Sequence, residues 1–253
     1  MTTAYRSCNW DAVNASTYPM HPVLPLGVSM SSINATPSSV TPLIPLPLKP
    51  RARGWIHLVA TPIVLCAVMV AIAFPESFGQ RLSVAVFGAT SVILFGASAV
   101  YHRGNWSATV NDFLRRLDHS NIFLLIAGTY TPLTVLVLEP DQRNLLLTVI
   151  WSGAIIGILM RQFWSTAPRW VFVPIYVALG WVAVWFLPEF YALGGAWVMW
   201  FIILGGVFYT LGAIAYATKY PNFFPKTFGY HEIFHLYTVI AWTCHFVAIL
   251  AAV

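Results

Sequence analysis

Charge is what this sequence has least of: Asp, Glu, Lys and Arg make up 8% of its 253 residues, against roughly a quarter in a soluble globular chain. Water is therefore not its main solvent. Cysteine is scarce too. Cys8, Cys66 and Cys244 stand alone, one in a polar leader and two in apolar runs, with no Cys-x-x-Cys spacing. That excludes a disulfide framework and a thiolate metal site. The net charge of +5 is not gathered into a Lys/Arg stripe interleaved with aromatics. Nucleic acid is excluded as a partner on that ground, and the basic residues read as topology signals between apolar runs. Residues 1–50 lack the basic, apolar and small-residue order of a secretory signal. They are rich in Ser, Thr, Pro and Asn, as in Ser38-Ser39-Val40-Thr41-Pro42, and are expected to form a disordered cytoplasmic leader. Met20 or Met30 could equally be the true start.

What is present is hydrophobic surface, 58% of the residues. Several apolar runs reach the roughly 20 residues that a helix needs to cross about 30 Å of hydrocarbon, each bounded by Pro, Gly or charge. The fold class expected is all-α, a polytopic bundle of seven transmembrane helices over residues 51–253 in contact with the lipid bilayer. Spans are expected near 57–74, 82–102, 118–138, 145–161, 170–187, 195–216 and 231–251. The fourth and fifth are the least sharply bounded, because Arg161 and Arg169 bracket a short connection.

Cytoplasmic loops retain Lys and Arg. With these spans, one side receives Arg6, Lys49, Arg51, Arg53, Arg103, Arg115, Arg116, Arg161, Arg169, Lys219 and Lys226, and the other only Arg81 and Arg143. The N-terminus is expected in the cytoplasm and the C-terminus outside the cell membrane, as an odd number of spans requires. Asn14-Ala15-Ser16 and Asn34-Ala35-Thr36 have the letters of glycosylation acceptors, but a cytoplasmic leader would not meet the enzyme.

Three polar motifs sit at span ends on the cytoplasmic side and so share one layer: Ser98 to His102, Arg115 to His119, and His231-Glu232-Ile233-Phe234-His235. His231 and His235 are four apart, so two imidazoles project from one helix face and can grip one ion. A lone histidine in an apolar helix is more often a satisfied polar residue than a ligand. Three histidines and an aspartate at one depth are different, since polar groups within spans usually face a cavity or a partner. His102 would complete a three-histidine site with one open position, the arrangement of a catalytic zinc. Imidazole suits zinc, and copper, nickel and iron share that ligand type. Asp118 would order a water there and carry its proton, and Ser98 would support a ligand or a developing oxyanion.

Glu232 follows His231 about 100° around the helix. At the start of a membrane span and without the metzincin extension, the stretch is set aside as a protease signature. His119 is read as structural. His57 either closes the site from the side or lies at the interface. His245, fourteen residues beyond His231, is roughly 21 Å further along the helix and cannot share the ion. His21 belongs to the leader. Gly128-Thr129-Tyr130-Thr131-Pro132 is expected to bend or loosen the third span.

The chain resembles the hemolysin III family, which is related to the progestin and adipoQ receptors and more distantly to the alkaline ceramidases. The resemblance covers about residues 51–253. It rests on Arg53-Gly54-Trp55-Ile56-His57, on Ser98 to His102, on Leu117-Asp118-His119 with Ala127 to Pro132, and on His231 to His235. It implies a seven-helix bundle with Zn2+ on His102, His231 and His235, Asp118 near its water and Ser98 in support. It also implies hydrolysis of a lipid amide or ester as one activity. A receptor-like protein with a structural zinc and a pore-forming haemolysin are the other two, the last disfavoured by the apolar middles of the spans. Oligomeric state is not legible.

Overall fold

The computed structural model describes residues 50–164 and 166–253. The leader before residue 50, with Cys8, His21 and both acceptor motifs, lies outside the described residues. Seven α-helices follow: α1 (Trp55–Ala71), α2 (Phe78–Arg103), α3 (Ala108–Val137), α4 (Pro140–Phe163), α5 (Arg169–Gly180), α6 (Leu187–Thr218) and α7 (Tyr230–Ala251), with a 3-10 turn, Trp181–Phe186, between α5 and α6. Among the described residues, five stretches are long and apolar enough to cross a membrane: α2, α3, α4, the continuous Arg169–Thr218 run and α7. α1 is apolar but has 17 residues. The fold is a polytopic helical bundle. The expected fifth and sixth spans fall inside the 50-residue run, which breaks helical geometry at Gly195, where φ is 82° and ψ 173°. Glycine enters that left-handed region without steric cost.

α1 and α4 each bury one stripe. In α1 the buried residues are His57, Ala60, Val64, Val68 and Ala71, and in α4 Leu146, Ile150, Ala154, Gly157 and Arg161. These steps of three and four make a single helical face. The opposite faces expose Ile63, Met69 and Val70 on α1 and Ile155, Ile156 and Leu159 on α4, which suits lipid. Close approach between helices relies on small residues. A Cβ on Gly128 would stand 2.0 Å from Thr90 Oγ1, and one on Gly157 2.3 Å from the Phe123 ring. The α3 helix continues through Pro132 without a break, and Gly128 packs against Thr90.

Local chemistry fixes the helix starts. Ser77 and Gln80 form a reciprocal cap on α2, and the Ser107 hydroxyl accepts the Val110 N–H at the start of α3. This second cap starts α3 ten residues ahead of the expected span, carrying Asp112, Arg115 and Arg116 on helix. Two backbone hydrogen bonds, from Arg51 N–H to Lys226 O (3.1 Å) and from Ala52 N–H to Thr227 O (3.0 Å), tie the chain before α1 to the loop before α7. The polar end of the bundle is closed by that tie.

Candidate metal centre

Helix packing brings α1, α2, α3 and α7 together at the end where the polar motifs lie. His102 ends α2, and His231 and His235 occupy the first two turns of α7. Their metal-binding atoms all lie within 4.8 Å of one another. The Nε2 atoms of His102 and His231 are 3.2 Å apart. Two nitrogens held about 2.0–2.1 Å from a tetrahedral zinc are separated by about 3.3–3.4 Å, so this pair already has the edge length of such a site. The Nε2 of His235 is buried with no hydrogen-bond partner among the described residues. A buried imidazole nitrogen without a partner, beside two further histidines, is a donor set that fits a metal ion.

His57 answers the question left open in the sequence. It is buried on α1, its Nε2 lies 3.0 Å from His235 Nδ1, and the two rings meet edge to face. A His235 that coordinates through Nε2 carries its proton on Nδ1 and donates it to His57, the kind of outer partner that fixes a ligand's tautomer and ring angle. Gly54 (φ 79°) lets α1 approach His102: a Cβ there would stand 2.9 Å from His102 Cβ.

Asp118 Oδ2 is 3.7 Å from His102 Nε2. Ser98, fully buried, lies beside Asp118, and both line the same cavity. Glu232 does not reach the cluster. Its carboxylate, 1% exposed, accepts from Arg53 Nε at 2.5 Å and from Gly229 N–H at 2.8 Å. The second contact caps its own helix, and the first joins α1 to α7. This commitment, rather than the spacing of the letters, removes Glu232 as a general base. His119 lines the cavity wall, but Nδ1 faces Arg115 O at 2.6 Å and Nε2 faces Tyr216 OH at 3.3 Å. His245 lies away from the cluster, against α6.

A cavity open at its mouth runs from His57, Asp118, His231 and His235 past Ile122, Ile126 and Val177 to Tyr209 and His245. Its lining is mostly apolar between two polar ends, as in sites for small amphiphilic molecules.

The profile of the family described as Haemolysin-III related matches residues 47–246. The chain belongs to that family. A hemolysin-3 homolog of Bacillus subtilis (strain 168) is 29% identical over 192 residues, 74% of this chain and 86% of that protein. Hemolysin-3 of Bacillus cereus is 27% identical over 191 residues, 74% of this chain and 84% of its own. The adiponectin receptor protein of Drosophila melanogaster is 25% identical over 214 residues, 76% of this chain and 48% of that protein. As a haemolysin-III related chain it is a multi-pass membrane protein.

Two features of this family member escaped the sequence. Arg161, read there as a topology marker, is buried on the inner stripe of α4, stacks over Phe172 at 5.1 Å and acts electrostatically on Asp118. Its register four residues after Gly157 was the available signal. Tyr216 was passed over too. It sits between Arg169, whose guanidinium lies 4.9 Å from its ring, and His119.

Proposed function

We propose that the chain spans the cell membrane seven times, N-terminus cytoplasmic and C-terminus outside, holds zinc between His102, His231 and His235, and hydrolyses an amide or ester bond of a lipid. The count of seven takes the Arg169–Thr218 run as two spans divided at Gly195. It also takes the 17 residues of α1 as a span at the short end of the usual range. The observation that carries the reading is the cavity, whose wall combines His231, His235 and Asp118 at one end with an apolar channel beyond them.

Zinc there would act as a Lewis acid and make a water nucleophilic near neutral pH. Asp118 orders that water, accepts its proton and delivers it to the departing nitrogen or oxygen. Ser98 donates a hydrogen bond to the oxyanion that develops on the attacked carbonyl. His57 holds the ring of His235 in register, and the apolar wall keeps bulk water from the reacting atoms.

One distance favours a second reading. Asp118 stands outside the three-histidine group but 3.7 Å from His102 Nε2, and a shift of its carboxylate onto the ion would give a filled, structural site in a receptor-like protein. Asp118→Asn separates the two. In the hydrolase, zinc stays and turnover of a ceramide-like amide falls by about a hundredfold or more. In the structural site, the variant loses zinc and the unaltered protein shows no turnover.

A further inference from the structure

The far end of the cavity carries polar atoms that the hydrolytic reading does not use. His245 lies ten residues beyond His235 on α7, about 15 Å along the axis. Its ring is seated against α6 where Gly205 leaves room, since a Cβ there would stand 2.3 Å from both Cδ2 and Nε2. His245 Nε2 is 3.2 Å from Ile202 O. A carbonyl only accepts, so Nε2 carries the proton and Nδ1 presents a lone pair. That Nδ1 is buried without a partner among the described residues. So is the hydroxyl of Tyr209, whose ring centroid is 5.5 Å from that of His245.

Neighbouring groups do not supply the missing partners. Tyr130 OH donates to Gly180 O and accepts the Ala183 N–H, and Thr210 Oγ1 donates to Gly206 O and accepts from Trp181 Nε1. What remains is one bare acceptor and one hydroxyl, buried on two residues that line an apolar channel in a membrane-embedded bundle, where ionisable residues mark functional sites. An unsubstituted alkyl chain satisfies neither atom, and a carbonyl only Tyr209. A hydroxyl can donate to His245 Nδ1 while accepting from Tyr209.

We infer that the cavity selects a long-chain lipid bearing a hydroxyl on its chain, about 15 Å from the group held at the histidine cluster, with His245 and Tyr209 reading that hydroxyl. This rests on the cavity being a lipid site, as proposed above, but not on hydrolysis.

The test is equilibrium binding to the purified full chain in detergent of two probes, octadecanoic acid and the same acid hydroxylated at its twelfth carbon. Binding is repeated with Tyr209→Phe, which removes one oxygen, and His245→Phe. Zinc content reports whether each variant is intact. The hydroxylated acid should bind about tenfold more tightly, the worth of one well-made hydrogen-bond pair, and either variant should erase the preference while retaining zinc. Equal binding of the two acids, as when only a water sits between the two side chains, or a preference that survives in Tyr209→Phe, overturns the inference alone. Binding of neither acid overturns the lipid cavity and the inference with it.

Discussion

The α7 helix carries two imidazoles ten residues apart, His235 buried and His245 half-buried, and they are kept in different ways. His235 is surrounded by other imidazoles, with ring centroids 4.0 Å from His57, 4.6 Å from His231 and 5.0 Å from His102. His245 meets a backbone carbonyl of α6 and a glycine. One helix supplies both side chains, so their chemistry is set by what the neighbouring helices bring against them. At the polar end α1 and α2 contribute ring nitrogens, and in the middle α6 contributes a main-chain carbonyl, a glycine and the Tyr209 ring. The first arrangement leaves a nitrogen beside two other histidines, and the second leaves one buried without a partner among the described residues.

The largest effect on this contrast should come from the clamp that holds the polar end together. Arg53→Ala strands the Glu232 carboxylate without its ion-pair partner, and breaking a buried pair from one side costs about 3 kcal/mol or more. Thermal unfolding in detergent should show it as a marked fall in Tm, with Arg53→Lys falling less. An unchanged Tm would mean that the carboxylate finds water and that the clamp is ornamental to the site.

A smaller effect separates the two histidine environments. His57→Ala should weaken zinc binding by about 10–100-fold, the usual cost of losing an outer partner of a ligand. His57→Gln, whose amide oxygen can accept from His235 Nδ1, should recover most of it. His245→Phe should leave zinc affinity unchanged. Competition against a chromogenic chelator measures all three, and equal losses in His57→Ala and His245→Phe would erase the distinction drawn between them.

Gly205→Ala should give the smallest change. The new methyl drives the His245 ring toward the cavity, an overpacking cost of about 1 kcal/mol, at the low end because the ring has open space to enter. Zinc content should not change, and an accompanying loss of metal would show that the two ends are mechanically coupled.

Much of this was legible in the sequence. Scarcity of charge and the length of the apolar runs gave a polytopic helical bundle, because hydrophobic thickness constrains helix length directly. The closeness of His102, His231 and His235 followed from placing two span ends, those of the second and seventh spans, on one side. The early start of α3 was not legible from hydropathy, since Asn111, Asp112, Arg115 and Arg116 look like a loop by polarity, whereas the Ser107 cap and continuing backbone hydrogen bonds make them helix. The environment of Arg161 was hidden for the opposite reason: a charge at a span end is normally solvated, and only its register with Leu146, Ile150, Ala154 and Gly157 shows that it turns inward. His57 kept two alternatives because sequence does not show which helices become neighbours. The backbone tie between residues 51–52 and 226–227 decides that.

The most direct test of the metal site is elemental analysis of the purified protein beside the His231→Ala, His235→Ala double variant, both prepared without added chelator. Near-stoichiometric zinc in the first and none in the second is the predicted result. Equal metal content in the two would contradict the account at its centre.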